Sequence, residues 1–118
     1  MTVWERLICS MISVNQWDIK KTLKIIESMR ANNMFEIESF KDLNVIEIGS
    51  NLKKSGYDRG SLTYMIAERL IKTSVIISKK GVSSTEELLS KNTPESKEFL
   101  KNLNGIGPKT IDIFFSLK

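Results

Sequence analysis

The chain of 118 residues contains no histidine and a single cysteine, Cys9. Without histidine, the chain itself cannot supply a His-based catalytic triad, a histidine general base or a histidine metal triad. One cysteine cannot form an internal disulfide, and it cannot hold an iron–sulfur cluster or a cysteine-based zinc ion. We therefore expect no metal site and no iron–sulfur cofactor.

Long apolar stretches are also lacking, and the longest are short runs such as residues 75–77. A membrane-spanning helix needs about 20 predominantly apolar residues. The first 14 residues include Glu5 and Arg6 and have no small-residue cleavage pattern, so they do not resemble a signal peptide. We expect a cytoplasmic protein with no membrane contact.

What the chain does contain is the composition of one ordinary globular domain, extending over residues 1–118. Hydrophobic residues make up 41% and charged residues 27%, which is enough apolar material for a core without disulfides. Lysine and arginine number 18 against 14 acidic residues, giving a net charge of +4. Such a mild excess permits a polyanionic partner and does not require one.

Apolar residues recur at spacings of three and four, which predicts an all-α bundle or barrel of six or more helices. One predicted helix carries Trp4, Leu7, Ile8, Met11 and Ile12 on one face, and the other helices are bounded by local signals. Helices are predicted to start after an N-cap at Asp18, at Ser39, at Ser83 or Ser84, and at Thr93-Pro94. A further helix is predicted over 45–55, stopped by Gly56, and a long helix from about Arg59 to Lys79.

Inward-facing positions follow from the same periodicity. We expect four positions of the second helix to face inward, namely Ile19, Leu23, Ile26 and either Met29 or Arg30. The inward positions of the long helix are expected at Leu62, Met65, Ile66, either Arg69 or Leu70, and either Ile76 or Ile77. The residues expected to be largely buried are Leu7, Ile8, Ile12, Leu70 and Leu100. Residues 35–40 alternate as a strand would, but no partner strand is evident.

The segment from Leu103 to Thr110 is the most informative for function. A helix is predicted to end at Leu103 and the next to begin near Pro108, with two glycines around Ile106 between them. Glycine has no Cβ, so Gly105 and Gly107 can adopt unusual backbone angles and approach a ligand closely. With Ile106 turned inward, the amides of the turn and of the next helix would point outward together, which is an arrangement that binds phosphate.

Residues 105–110 resemble the hairpin of the helix-hairpin-helix family, with the whole motif at about 94–118. The remaining chain is similar to the helical barrel domain of DNA glycosylases in that superfamily, most of all to endonuclease III. Residues 7–16 resemble its first barrel helix and the turn behind it, and residues 56–59 resemble the glycine-aromatic turn before its long helix. The resemblance implies binding of damaged duplex DNA in base-excision repair, through Leu103, Gly105, Ile106, Gly107, Lys109 and Thr110.

Two further roles come from the same resemblance. The lysine after the second hairpin glycine, here Lys109, is the nucleophile of the bifunctional family members, which are both glycosylases and abasic-site lyases. Its neutral amine attacks the sugar carbon that bears the damaged base and forms a Schiff base, after which elimination cuts the strand. The damaged nucleotide must be flipped out of the duplex, and Asn15 or Gln16 would fill the gap it leaves.

The sequence also departs from the family pattern. Asn104 stands where the family's hairpin commonly has proline. The family's long helix usually starts with a lysine near the position that Ser61 occupies here. The second catalytic residue of the family, an aspartate beyond the helix that follows the hairpin, has no counterpart among the nine residues after Lys109. Asp112 is not that aspartate, so we expect the active site of this chain to be incomplete. We expect no cofactor, with a monovalent cation at the hairpin as the one alternative left open.

Simpler interpretations stay open beside this one. The chain could be a non-catalytic DNA-binding protein in which Lys109 only contacts phosphate, or a helical protein-interaction module. Asn15 and Gln16 could simply cap the first helix. The final helix is very apolar, and we expect an exposed patch near Phe114 or Phe115 that favours self-association.

Overall fold

The computed structural model describes residues 1–13, 18–31 and 36–117. These residues contain no strand and form eight helices, so the predicted all-α class is confirmed. None of the helices is long and apolar enough to cross a membrane within these described ranges. The helices are α1 (Val3–Ser13), α2 (Ile19–Ala31), α3 (Ile37–Lys41), α4 (Val45–Lys54), α5 (Ser61–Lys80), α6 (Val82–Leu89), α7 (Pro94–Lys101) and α8 (Pro108–Ser116).

Several helix ends lie where local capping chemistry predicts them. The carboxylate of Asp18 accepts a hydrogen bond from the Lys20 amide at 2.8 Å at the start of α2. The hydroxyl of Thr93 accepts one from the Ser96 amide at 3.1 Å, and Pro94 occupies the first position of α7. Because a cap satisfies amides that have no acceptor inside the helix, these starts are specified within a few residues of sequence.

The predicted starts at Ser39 and at Ser83 or Ser84 are wrong. Ser39 lies inside α3, and both later serines lie in the first turn of α6. Gly81, with a φ of 103°, is both the C-cap of α5 and the N-cap of α6. The chain therefore changes direction at a single glycine, and no linker remains in which a serine could cap α6.

The first helix lies at the centre of the bundle. It packs against α2, α5, α6 and α8, and every residue of α1 except Arg6 is buried. The expectation of one apolar face was therefore too narrow, because a helix covered on all sides has no solvent face. The five residues predicted to be buried, on α1, α5 and α7, are all fully inaccessible, as expected.

The start of α1 is tied to α2 through Glu5. The Thr2 hydroxyl accepts from the Glu5 amide and the Glu5 carboxylate accepts from the Thr2 amide, both at 3.1 Å, which is a capping box. The Arg30 guanidinium on α2 donates to the same carboxylate. Burial alone would raise the pKa of Glu5, but the hydrogen bond from the Thr2 backbone and the interaction with Arg30 outweigh it and hold that pKa below its ordinary value.

Two inward predictions are corrected by the actual phase of the helices. Leu23 is 43% exposed, whereas Thr22, Ile25, Ile26 and Met29 are buried. The buried stripe of α2 therefore contains a threonine, whose hydroxyl accepts a hydrogen bond from the Ser13 hydroxyl at 3.2 Å. A buried hydroxyl with a partner fits the core, so hydrophobicity alone misplaced the stripe. On α5, Met65 is likewise exposed.

The final helix is covered more completely than predicted. Phe114 is 1% exposed and Phe115 is partly buried against the core, so the expected exposed patch at these residues is not found. Arg6 of α1 lies over the Phe114 ring at 4.2 Å and donates to the Phe114 carbonyl at 3.2 Å. This places a cation at the carboxyl end of α8, where the helix dipole favours it. Self-association through α8 stays a prediction.

Candidate nucleic-acid interface

The turn at residues 102–107 connects α7 to α8 and is anchored from inside. The amide of Leu103 donates to the Leu100 carbonyl at 3.1 Å, and the amide of Ile106 donates to the Leu103 carbonyl at 3.4 Å. The side chains of Leu103 and Ile106 are both buried, as predicted for Ile106. Helix α7 ends at Lys101, two residues earlier than expected. The turn is thus held by two apolar anchors and its own backbone hydrogen bonds.

The two glycines of the turn have different backbone requirements. Gly105 has a φ of 80°, in the region that L-residues rarely adopt. Gly107 has a φ of −109° and a ψ of −178°, an extended conformation open to any residue. The expectation of unusual angles therefore holds for Gly105 only. A Cβ added to Gly107 would meet nothing within 4 Å, so its backbone is accessible from that side.

Backbone N–H groups without acceptors line this turn. Within the described ranges, the amides of Gly105 and Gly107 donate no hydrogen bond to another residue. The first hydrogen bond of α8 joins the Ile111 amide to the Gly107 carbonyl at 3.1 Å, so the amides of Lys109 and Thr110 precede it. The N–H groups of Gly105, Gly107, Lys109 and Thr110 therefore lie before or within the first turn of α8, near the positive end of its dipole, where they can bind an anion.

The other predicted contact residues differ in what they can offer a ligand. Thr110 is only 3% exposed and, like Leu103 and Ile106, can reach a ligand only through its backbone. Lys109 is exposed on the first turn of α8, so its amine is accessible beside the turn amides. The predicted gap-filling residues, Asn15 and Gln16, lie outside the described residues.

Arg69 also lies at this turn, although the sequence predicts it only as one of two alternative inward positions of the long helix. Its side chain reaches from α5 across Gly105, and a Cβ on Gly105 would lie 2.5 Å from the Arg69 Cδ and Nε atoms. Three basic residues therefore belong to the turn or lie beside it, namely Arg69, Lys101 and Lys109. The sequence signal for Arg69 was a basic residue within an apolar helical stripe.

Other candidate chemistry is sparse in the described part of the chain. No group of three or more acidic, cysteine or histidine side chains that could hold a metal ion occurs there. Cys9 lies in the core, and its burial raises the pKa of the thiol, which disfavours the reactive thiolate. Asp112 is exposed one turn after Lys109 and forms no ion pair with it.

Comparison of the chain with protein families, with curated proteins and with solved structures found no match.

Proposed function

We propose that the chain is a DNA-binding domain of the base-excision-repair glycosylase type, which binds the phosphate backbone of duplex DNA through the turn at residues 102–107 and the first turn of α8. The observation that carries this proposal is the set of unpartnered amides at Gly105, Gly107, Lys109 and Thr110. The open side of Gly107 gives a ligand access to them. The resemblance of the same residues to a helix-hairpin-helix motif supports DNA as the source of the phosphate.

The charges around the turn suit a backbone contact better than base readout. Lys101 and Lys109 are exposed on either side of it, and the chain as a whole carries a net charge of only +4. Each neutralised phosphate changes the slope of log affinity against log salt by about −0.9. With two to four contacts, we expect a slope of roughly −2 to −4 and little sequence preference.

The variant Gly107→Val tests this proposal directly. The extended backbone of Gly107 accepts a β-branched residue, and the added Cβ has no neighbour within 4 Å, so the fold should be retained. The new side chain would occupy the space through which the phosphate approaches. We expect strong loss of duplex binding, measured by fluorescence anisotropy.

The matched control is Ser83→Val, which adds valine at an exposed position in the first turn of α6. It should bind DNA as the unmodified chain does. If Gly107→Val also binds as tightly as the unmodified chain, the turn is not the DNA site and the proposal is wrong.

We extend the proposal to an abasic-site lyase with Lys109 as nucleophile. Its exposed amine belongs to the same helix turn as two of the proposed phosphate-binding amides. The amine would condense with the C1′ aldehyde of an abasic site, releasing water and forming an imine. Borohydride delivers hydride to that imine carbon and converts the linkage into a stable secondary amine. The expected product is a covalent protein–DNA adduct.

The adduct should form with the unmodified chain on abasic duplex and be absent with Lys109→Arg, which keeps the positive charge. The control Lys101→Arg removes another exposed lysine, located before the turn, and should leave the adduct intact. Gel electrophoresis under denaturing conditions measures it. Equal adduct yield from Lys109→Arg would assign the reaction to other surface amines.

A non-catalytic DNA-binding protein is the second candidate, and the exposure of Lys109 favours it. A protein can make a lysine nucleophilic at neutral pH by burying its amine, and the side chain of Lys109 is not buried. Duplex binding without a trapped adduct would select this candidate. Absence of any DNA binding would instead leave the helical protein-interaction module.

A further inference from the structure

Arg69 is a cation without a protein partner in the described part of the chain. It forms no ion pair or hydrogen bond there, although Glu68 precedes it directly. Glu68 instead pairs with Lys72 at 3.1 Å, one turn further along α5. Arg69 is also only partly exposed, so part of its hydration is lost without an ion pair to replace it. This leaves up to five N–H donors for a ligand.

The position of Arg69 joins this charge to the turn. A Cβ added to Gly105 would lie only 2.5 to 2.8 Å from the Cδ, Nε and Cζ atoms of Arg69. Gly105 therefore serves two purposes, since it adopts a positive φ and leaves space for the arginine. The guanidinium and the unpartnered amides can only donate hydrogen bonds, so a ligand common to them must be an acceptor with negative charge.

We propose that Arg69 contacts the same stretch of DNA backbone as the turn amides, and this inference rests on the proposed function. A planar guanidinium can donate two parallel hydrogen bonds to the two non-bridging oxygens of a phosphodiester. Arg69 comes from α5 and the amides come from the turn and α8, so the DNA backbone is held by two separate parts of the fold. Arg69 is a binding residue and takes no part in bond breaking.

The variant Arg69→Met removes the charge and keeps an unbranched apolar side chain over Gly105. Loss of one phosphate contact should make the salt slope shallower by about 0.9. Counted from equal affinities of the variant and the unmodified chain at 1 M salt, this slope difference lowers the affinity of the variant by about 8-fold at 0.1 M salt and by only about 2-fold at 0.5 M salt. Arg69→Lys should retain the slope and bind with intermediate affinity, because it keeps the charge and loses the paired donors. Anisotropy of a short fluorescent duplex measures both.

Lys79→Gln is the matched control. It removes the same charge from the same helix, ten residues and about 15 Å away from Arg69, and should leave the slope unchanged. Thermal melting of each variant checks the fold. If Arg69→Met is destabilised, Arg69→Gln provides a second neutral variant for the same slope measurement.

A merely structural role for Arg69 would lower the affinity by the same factor at every salt concentration, and this result would overturn the inference. The inference also fails, with the proposed function intact, if Gly107→Val abolishes binding while both neutral Arg69 variants retain the full slope. If the unmodified chain does not bind duplex DNA, the proposed function and this inference are both wrong.

Discussion

Replacing Gly105 with alanine tests how the turn before α8 holds its shape. At a φ of 80°, the new Cβ crowds the backbone, which costs about 1–2 kcal/mol for an L-residue. The same Cβ would lie 2.5 Å from Arg69 atoms, but that flexible side chain can move away at small cost. Alanine also reduces the conformational entropy of the unfolded chain, which offsets about 0.5 kcal/mol of this cost. We expect a net loss of about 0.5–1.5 kcal/mol in the free energy of unfolding.

Thermal denaturation followed by far-UV circular dichroism measures this loss. For 118 residues the unfolding entropy is about 0.25 kcal/mol/K, so the melting temperature should fall by about 2–6 °C. Gly107→Ala is the control, because its backbone is extended and its Cβ would meet nothing. It should raise the free energy of unfolding by about 0.5 kcal/mol, because alanine at an unstrained position only reduces the conformational entropy of the unfolded chain.

The double variant Gly105→Ala with Arg69→Ala separates the two causes. If backbone strain dominates, alanine at position 105 costs the same whether or not the arginine is present. Equal melting temperatures for Gly105→Ala and Gly107→Ala would refute the reasoning, since they would show that the positive φ imposes no requirement for glycine.

Two further predictions concern the central helix. Because the folded state lowers the pKa of Glu5, its ionised carboxylate contributes stability above the unfolded pKa of about 4.3, and this contribution is lost as the pH falls through the folded value. Chemical denaturation should therefore show Glu5→Gln to be about 1 kcal/mol less stable at neutral pH, with the difference shrinking below pH 4 or so; a constant difference would contradict this. Arg6→Lys loses the guanidinium contact with the Phe114 ring, so thermal melting should show a melting temperature lower by about 4 °C. An unchanged melting temperature would show that this contact contributes nothing to stability.

The parts of the fold that follow from a few consecutive residues could be predicted from the sequence. Asp18 and the Thr93-Pro94 pair begin helices because their capping chemistry acts on the next few amides. Gly56 follows the end of α4 with a φ of 107° for an equally local reason. The buried position of Ile106 also follows from its place between two glycines. DNA binding and the chemistry of Lys109 stay predictions.

The predictions that failed depend on what each helix packs against. The periodicity of α1 predicts one apolar face, but α2, α5, α6 and α8 all pack against this helix. Leu23 is exposed because α2 packs on α1 with Thr22 facing the core, where Ser13 provides its hydrogen-bond partner. Phe114 is covered because α8 packs on α1, with Arg6 over its ring. Local periodicity contains no information about these partners.

The sequence alone determined the helical class, several helix ends and the glycine turn, since each depends on propensities and hydrogen bonds within a few residues. The amides without acceptors are equally local, because they belong to the turn and to the first turn of α8. Tertiary structure decided which charge lies beside them. Arg69 and Gly105 are far apart in the chain, and they meet only because the fold brings the Arg69 side chain on α5 against the turn that precedes α8. A contact of that kind depends on helix packing, so the composition of the candidate site became visible only in three dimensions.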